Sequence, residues 1–492
     1  MKKQIILIFI FLAASLYAQE GFGFGDYESS EEESAGNFGF GDFTNTRTGA
    51  SSSPVKIGGS VSAGITSYVL EDAAKTSLGD IFSGSLHFSV AGSNADAVIN
   101  LNLAPVLDGS SSPVTLDEAY IRAYFGSLDI TAGLRKMTWG KADSMGPLDV
   151  INPLDYSDLS KMDDLLGMKI ARPLIHASYN IGSFTKVEAV FVPWFTGYLF
   201  DMEKRWKPTA QFTRLIKGVG TYLENPVSVP NPAYMAAVPD ILGGIANAGL
   251  PGYDYPETSS INYAQAGIRF TTTIGTADVG AQYYYGLLPR PTVVLSGVTD
   301  FWANIDWTNP LSPVIGEITP HIAYNRFHQI GIDYAQIIAG FNIRAEVAGN
   351  FTNDFSGDDG TVYNPSIAWS LGFDHGLPLG ITVNVQATES IRLFHNKIDG
   401  NPVFDTEAGT KMTSTRLTFN VSKNFLRDTL ETNITGIWGI EDKDFLIMPG
   451  IVWTKGDISL ELIGGIFGGD KAGELGQYHK NSFIKAGLTY SF

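Results

Sequence analysis

The sequence predicts an all-β chain, a transmembrane antiparallel β-barrel of about 18 strands, within a range of roughly 16 to 20. Three observations lead there. Apolar and polar residues alternate with period two over many segments, each close to the roughly nine to eleven residues that a tilted membrane-crossing strand needs. The connections between these segments alternate between tight and long. Beyond the N-terminus the 492 residues hold no run of roughly 18 apolar residues, so strands are the elements left to cross a membrane.

Composition narrows the function. There are 33 Lys and Arg against 51 Asp and Glu, a formal charge of −18, and no cysteine. Disulfide scaffolds, zinc ribbons, thiol nucleophiles and lipid-modified N-terminal cysteines are thereby excluded, and the charge balance is the opposite of a nucleic-acid binder's. Gly at 54 residues and aromatics at 12% suit a turn-rich sheet with aromatic girdles.

At the N-terminus Lys2 and Lys3 precede the apolar run Ile5 to Ala14, followed by Ser15, Leu16, Tyr17 and Ala18. This is the layout of a cleavable export signal, 1–18, too short to anchor the chain as a helix. Residues 19–54 form a low-complexity segment with FGFGD at Phe22 to Asp26 and again at Phe38 to Asp42, around the acidic run Glu31 to Glu33. Its Gly, Ser and Glu content buries too little apolar surface to order the chain, so disorder or a periplasmic tail is the expectation. The barrel domain is then 55–492.

From Val55 the alternation is clear. Val55, Ile57, Val61, Ala63, Ile65 and Val69 interleave with Lys56, Ser60, Ser62, Thr66 and Tyr68, and Leu86, Phe88 and Val90 with Ser85, His87 and Ser89. Ala119, Ile121, Ala123 and Phe125 oppose Glu118, Tyr120, Arg122 and Tyr124, and Leu128, Ile130, Ala132 and Leu134 oppose Asp129, Thr131 and Arg135. In hydrocarbon no water satisfies a free backbone group, so such a sheet must close on itself, apolar face to lipid and polar face to the lumen. A barrel of this kind needs no dry interior, which accounts for the mean hydropathy of +0.04. Trp369, Trp438, Trp453, Tyr283, Tyr285 and Tyr490 fall on the apolar phase or near strand ends, where interfacial girdles sit.

Tight connections are expected at Gly126 and Ser127, Ile181 to Ser183, Ile274 and Gly275, Ile338 and Ala339, and Thr454 to Gly456. Long ones are expected at 140–166, 194–260, 287–327 and 466–480, with Glu441 to Asp444 as a short exception on the long side. Residues 287–327 have room for a further hairpin through Thr292 to Val298 and Ile318 to Asn325. One trimmed rim and one elaborated rim is the asymmetry of a barrel with short periplasmic turns and long outward loops.

At the C-terminus Ile484, Ala486, Leu488, Tyr490 and Phe492 alternate with Lys485, Gly487, Thr489 and Ser491, and the chain ends on the aromatic. This resembles the terminal strand of bacterial outer-membrane barrels. The resemblance implies that Leu488, Tyr490 and Phe492 form an insertion signal read by the barrel-insertion machinery.

The lumen phase carries both signs of charge. The candidate pore-lining set is Lys56, Glu118, Arg122, Arg135, Lys186, Glu188, Arg269, Arg344, Glu346 and Arg416. Either these are ordinary groups in a solvated lumen, or they form a basic ladder facing an acidic loop, which would order water and sort solutes by charge. The acidic loop is 140–166, where Asp143, Asp149, Asp155, Asp158, Asp163 and Asp164 are concentrated directly after the strand that carries Arg135.

The run LRKMTWGKADSMGPLDVINPLDYSDL is similar to a segment of uncharacterised proteobacterial outer-membrane proteins and, more distantly, of alginate-export-type porins. Its Trp-Gly, Asp and Asn-Pro-x-Asp positions are here Trp139, Gly140, Asp143, Asn152, Pro153 and Asp155. The resemblance implies a porin-like channel with a folded-in constriction loop built on Trp139, Asp143, Asp149, Asn152 and Asp155. Asn152-Pro153 and Asp155 equally suit a plain turn. Segment 194–260 is too long for a plain loop and carries Lys204, Arg205, Lys207, Arg214 and Lys217 before the apolar stretch Tyr234 to Leu250, so it either caps the barrel, folds into the lumen or meets a surface partner.

Catalysis finds no support. Asp374-His375 and His395-Asn396 are sequence neighbours, which point to opposite faces on a strand, and His321 and His328 lack carboxylates at metal-ligand spacing. No cofactor or metal is expected, and no phosphate-binding or dinucleotide loop is present. The function expected is porin-like diffusion of small solutes across the bacterial outer membrane. A substrate-specific uptake channel for an apolar or acyl solute, or an adhesin or structural barrel with a closed lumen, are the alternatives. The partners are outer-membrane lipid, the insertion machinery and small solutes, with no nucleic acid.

Overall fold

The structure, a computed structural model, describes residues 55–69, 82–104, 114–202, 204–223, 225, 256–294 and 321–492. The expected export signal 1–18, the segment 19–54 and the apolar stretch Tyr234 to Leu250 lie outside the described residues. Eighteen strands form one closed sheet. They are β1 (Val55–Tyr68), β2 (Phe82–Ala91), β3 (Ala95–Leu103), β4 (Val114–Phe125), β5 (Leu128–Arg135) and β6 (Arg172–Ile181), then β7 (Thr185–Val192), β8 (Gln265–Ile274), β9 (Ala277–Leu287), β10 (Arg326–Ile338), β11 (Phe341–Thr352) and β12 (Ser366–Leu377). β13 (Ile381–Arg392), β14 (Thr413–Phe425), β15 (Leu430–Gly439), β16 (Asp444–Lys455), β17 (Ile458–Gly469) and β18 (Phe483–Ser491) complete it.

Each strand pairs antiparallel with its sequence neighbour, and β18 closes on β1 from Ser60↔Ser491 to Tyr68↔Phe483. The terminal residue finishes the seam: the Phe492 amide donates to the Gly59 carbonyl at 2.9 Å and the Gly59 amide to the Phe492 carbonyl at 3.0 Å. No edge is left with free backbone groups, which is the condition for a sheet in hydrocarbon.

The two rims differ as expected. The turn rim has two-residue links such as Gly126-Ser127 and Gly275-Thr276, whose glycines adopt φ +66° and +67°, the left-handed geometry that matches strand twist in tight hairpins. Four turns lie one or two residues later than expected, at 182–184, 275–276, 339–340 and 456–457 rather than 181–183, 274–275, 338–339 and 454–456, because the preceding strands pair further, as Ile181 does with Thr185 and Ile274 with Ala277. The loop rim carries 136–171, 193–264, 288–325 and 470–482, with 440–443 as its short member. Thr292–Val294 and His321–Ala323 do pair antiparallel, but as a separate two-stranded sheet that adds nothing to the barrel; 295–298 and 318–320 lie outside the described residues.

The outward face is apolar along every strand. Ile57, Val61 and Ile65 on β1, Ile268 and Phe270 on β8, Ile330 and Ile332 on β10, and Leu371 and Phe373 on β12 are all exposed. Aromatics ring both ends. Near the loop rim Tyr283 and Tyr285 flank His328, whose Nδ1 lies 2.8 Å from the Tyr283 hydroxyl, and the Trp369 indole donates to Glu389 at 2.7 Å. Near the turn rim stand Trp453 and Tyr490.

One expectation fails. The interior is not without a dry core: Tyr68, Ile437, Leu446, Met448, Ile463, Phe467 and Phe483 all point inward and pack into one buried cluster. The run Phe445 to Trp453 is apolar on both phases, the pattern of a strand covered on two sides. What covers it is the chain's own loop.

Candidate functional site: a loop-filled lumen

Loop 136–171 leaves β5 and turns into the barrel. Its neck is held by Asn152, which is 5% exposed. The Asn152 Oδ1 accepts from the Met137 amide at 2.7 Å, and its Nδ2 donates to the carbonyls of Arg135 and Ile170 at 3.0 and 2.8 Å. One side-chain amide thus ties both ends of the loop and satisfies three backbone groups that the missing strand pairing would leave free. Beside it Trp139 is buried among Leu174, Val190, Val192 and Phe327 and meets Tyr284 edge-on at 6.4 Å. Gly267 makes room, since a Cβ there would stand 2.8 Å from the Trp139 ring.

The next stretch wraps a carboxylate. Glu346 on β11 accepts backbone amides from Lys141, from Ala142 at 2.7 Å and from Leu148 at 3.3 Å. Gly140 at φ +102° and Gly146 both lie where a side chain would strike that carboxylate. Further anchors follow along the wall. Gln386 on β13 accepts from the Asp143 amide at 2.9 Å, Gln282 on β9 and Gln329 on β10 each donate at 2.9 Å to the Leu148 and Pro147 carbonyls, and Ser144 Oγ lies 3.1 Å from Thr418 Oγ1 on β14. Asp143 is ion-paired with Arg344, which also holds Asp374, and Asp143 accepts from Asn384 at 2.8 Å.

The second half of the loop supplies the cover for the dry cluster. Leu159, Met162 and Met168 are buried against β1 and β15–β18, with Leu154, Tyr156 and Leu165 packed at its margin. Asp155 and Tyr156 pair in parallel with Leu199 and Phe200. The described residues among 199–206 of segment 194–260 therefore reach into the mouth: Trp206 joins the cluster and the Arg205 guanidinium lies 3.7 Å from the Tyr68 ring centre. Helix α1 (Thr209–Leu223) follows, its Ala210 amide donating to Gln477 at 3.0 Å and its Arg214 to the Ala408 carbonyl at 3.2 Å.

The predicted acidic loop is thus largely spent on itself and on the wall. Asp143 pairs with Arg344; Asp149 pairs with Lys169 of the same loop at 2.6 Å; Asp155, Asp158 and Asp164 accept backbone amides of their own turns. The charges divide in the same way. Arg269, 4% exposed, is bonded to Asp333 at 2.7 Å and to Gln282 at 2.8 Å. Glu188 is bonded to His176 and Lys186, both at 3.2 Å. Arg269, Arg344 and Glu346 point inward but beneath the loop; Arg344 and Glu346 anchor it directly, and Arg269 holds Gln282, which donates to the Leu148 carbonyl.

One wall stays uncovered. On β1–β5 the inward residues Lys56, Ser85, His87, Asn100, Glu118, Arg122 and Arg135 keep solvent access, whereas Gln265, Gln282, Gln329, Asp333, Glu346, Gln386 and Thr418 on the opposite wall are buried. Glu118 accepts from Asn100 at 3.0 Å and from the Lys136 amide at 2.8 Å. Arg135 lies over the Tyr120 ring at 5.1 Å and reaches Thr131 at 3.3 Å, and among the described residues neither it nor Arg122 is ion-paired with a carboxylate.

In comparisons with solved structures, the chain is similar to Salmonella typhi OmpF in complex with daunomycin (7% identity, 89% of this chain and 97% of that one, TM-score 0.40). It is also similar to Acinetobacter baumannii OccAB4 (10% identity, 89% and 98%, TM-score 0.46) and to the outer membrane channel DcaP of Acinetobacter baumannii (9% identity, 89% and 97%, TM-score 0.39). No protein-family model and no curated protein sequence matches the chain.

The amides Gln282, Gln329 and Gln386 are the loop anchors that sequence reasoning missed, together with Asp333, the partner of Arg269 beneath them. Asp333 had a signal, since it is the charged inward position between the outward Ile332 and Tyr334. Uncharged glutamines in the lumen phase carry none. The histidine pairs do diverge: Asp374 turns inward to Arg344, while His375 stacks on Phe341 at 4.1 Å.

Arg416 binds Glu474 of loop 470–482, and its guanidinium holds that carboxylate down at about 2 from an ordinary 4.5. A depressed carboxylate stabilises the fold above its unfolded value and loses that contribution as pH falls through the folded one. Glu474→Gln should therefore lower urea stability in micelles at pH 6, with the difference from wild type closing between about pH 4.5 and 2. A gap that is constant with pH would show that the pair contributes no charge stabilisation.

Proposed function

We propose that this chain is an outer-membrane channel for passive or semi-selective passage of small hydrophilic solutes, exported to that membrane and inserted through its C-terminal strand. The observation that carries the reading is the division of the lumen: a closed barrel with an apolar outer face, half filled by loop 136–171, and a polar β1–β5 wall left open to water. The loop acts as the constriction, with Trp139 and Asn152 setting its place and Asp143 docking it on Arg344. An uptake channel for acyl solutes needs an apolar lumen patch, and the patch present here is occupied by the protein's own Leu159, Met162 and Trp206.

The path along β1–β5 displays Arg122 and Arg135, neither ion-paired with a carboxylate among the described residues, so it favours anions. Single-channel recording in a planar bilayer under a salt gradient tests both claims. A steady conductance on the order of a nanosiemens with an anion-directed reversal potential is expected. Arg122→Ala with Arg135→Ala should move the reversal potential toward cations while leaving the barrel folded. A folded but silent barrel would remove the channel reading.

A further inference from the structure

A cavity of about 200 Å³ lies at the loop end of β11–β13, away from the Arg122 and Arg135 wall. Its floor is a row of inward polar residues. Asn350, Ser366 and Ser390 come from three successive strands; Asn350 Oδ1 accepts from Gln329 at 2.9 Å, while its Nδ2 makes only a long contact of 3.4 Å to Ser366 Oγ. Its roof is aromatic and apolar, formed by Tyr198, Tyr363, Leu288 and Pro289.

The charges are unequal. Arg392 is committed to Glu407 at 2.7 Å and to the Lys411 carbonyl at 2.6 Å, and the second Glu407 oxygen accepts the Asn364 amide at 2.8 Å. That pair is neutral and held. Arg290 is exposed, sits 5.2 Å from the Tyr363 ring centre, and among the described residues pairs with no carboxylate. The acids nearest in charge, Glu407 and Glu474, are engaged by Arg392 and Arg416. Tyr363 is itself fixed, its hydroxyl donating to the Pro291 carbonyl at 2.8 Å. The cavity therefore presents one positive charge on an aromatic shelf, facing hydroxyls and an amide.

We propose that this cavity is a recognition site for a small hydroxylated carboxylate, a single-ring sugar acid, with its carboxylate on Arg290, its hydroxyls on Asn350, Ser366 and Ser390, and its ring against Tyr198 and Tyr363. The size fits, since a cavity of about 150 Å³ takes one benzene ring and this one leaves room for substituents. The charge fits, since a guanidinium binds a carboxylate through paired charge-assisted hydrogen bonds. A neutral sugar would leave Arg290 unused, and a bare aromatic acid would leave the polar floor without partners. The proposal rests on the channel reading, within which it names the solute class met first at the loop rim.

Isothermal titration calorimetry on the full detergent-solubilised chain, with D-glucuronate, D-glucose and benzoate as probes, tests it. Glucuronate should bind, with glucose and benzoate each at least about tenfold weaker. Arg290→Gln should weaken glucuronate about ten- to a hundredfold and leave glucose unchanged, and Ser366→Ala with Ser390→Ala should weaken glucuronate but not benzoate. Equal binding of glucuronate and glucose, tighter binding of benzoate, or insensitivity to Arg290→Gln would each overturn the assignment. Conductance of the same preparations separates the two readings. A silent barrel that still binds glucuronate leaves the site and removes the channel; a conducting barrel that binds none of the probes removes the site alone.

Discussion

Glu346→Ala should open the lumen. The carboxylate is the acceptor for the Lys141, Ala142 and Leu148 amides, and among the described residues no other wall group accepts from all three. Its loss leaves those donors to find water, at a net cost of about 2–4 kcal/mol of loop docking, because a buried amide without an acceptor is penalised by about 1–3 kcal/mol. The loop then detaches from β11 while Asn152 still holds its neck. Single-channel conductance should rise on the order of twofold with larger current noise. Glu346→Gln keeps one carbonyl oxygen and should fall between the two. An unchanged conductance in Glu346→Ala would mean that the conducting path does not pass this loop.

Breaking the Arg269–Asp333 pair should give the largest loss of stability. Both groups are buried, the guanidinium 4% and the aspartate 4% exposed, and both are screened from water by the loop above them. Asp333→Ala leaves a buried cation with only Gln282 as acceptor, and should cost about 3–5 kcal/mol in urea unfolding from lipid vesicles. Arg269→Met together with Asp333→Ala should recover a large share of that loss, since two apolar groups remove the desolvation cost along with the attraction. If the double variant were no better than the single, the loss would come from packing rather than from the stranded charge.

Strand positions were legible because alternation is local. Two faces at period two, and a membrane that tolerates no free backbone group, together require a closed sheet whose outward residues can be named one by one from Ile57 to Tyr490. The tight and long connections gave the two rims for the same reason, since a turn's geometry is decided by the few residues in it. Folding-in of the loop was expected from its resemblance to porin segments, and the fully apolar run Phe445 to Trp453 was a sign, unused, that one inner wall is covered.

The division of the lumen was not legible. Alternation says that Arg122 and Arg344 both point inward, and on that scale they are equivalent. They differ because loop 136–171 lies across β9–β18 and the Tyr68 end of β1 and leaves the other inward groups of β1–β5, from Lys56 to Arg135, open to water, and that depends on contacts such as Lys141 with Glu346, 205 positions apart. The sequence by itself determined the barrel, its strand order and its lipid face, because these follow from neighbours along the chain and from the solvent outside. Only the tertiary structure decided which inward charges meet water and which anchor a loop, because burial inside a closed sheet depends on what else folds into it.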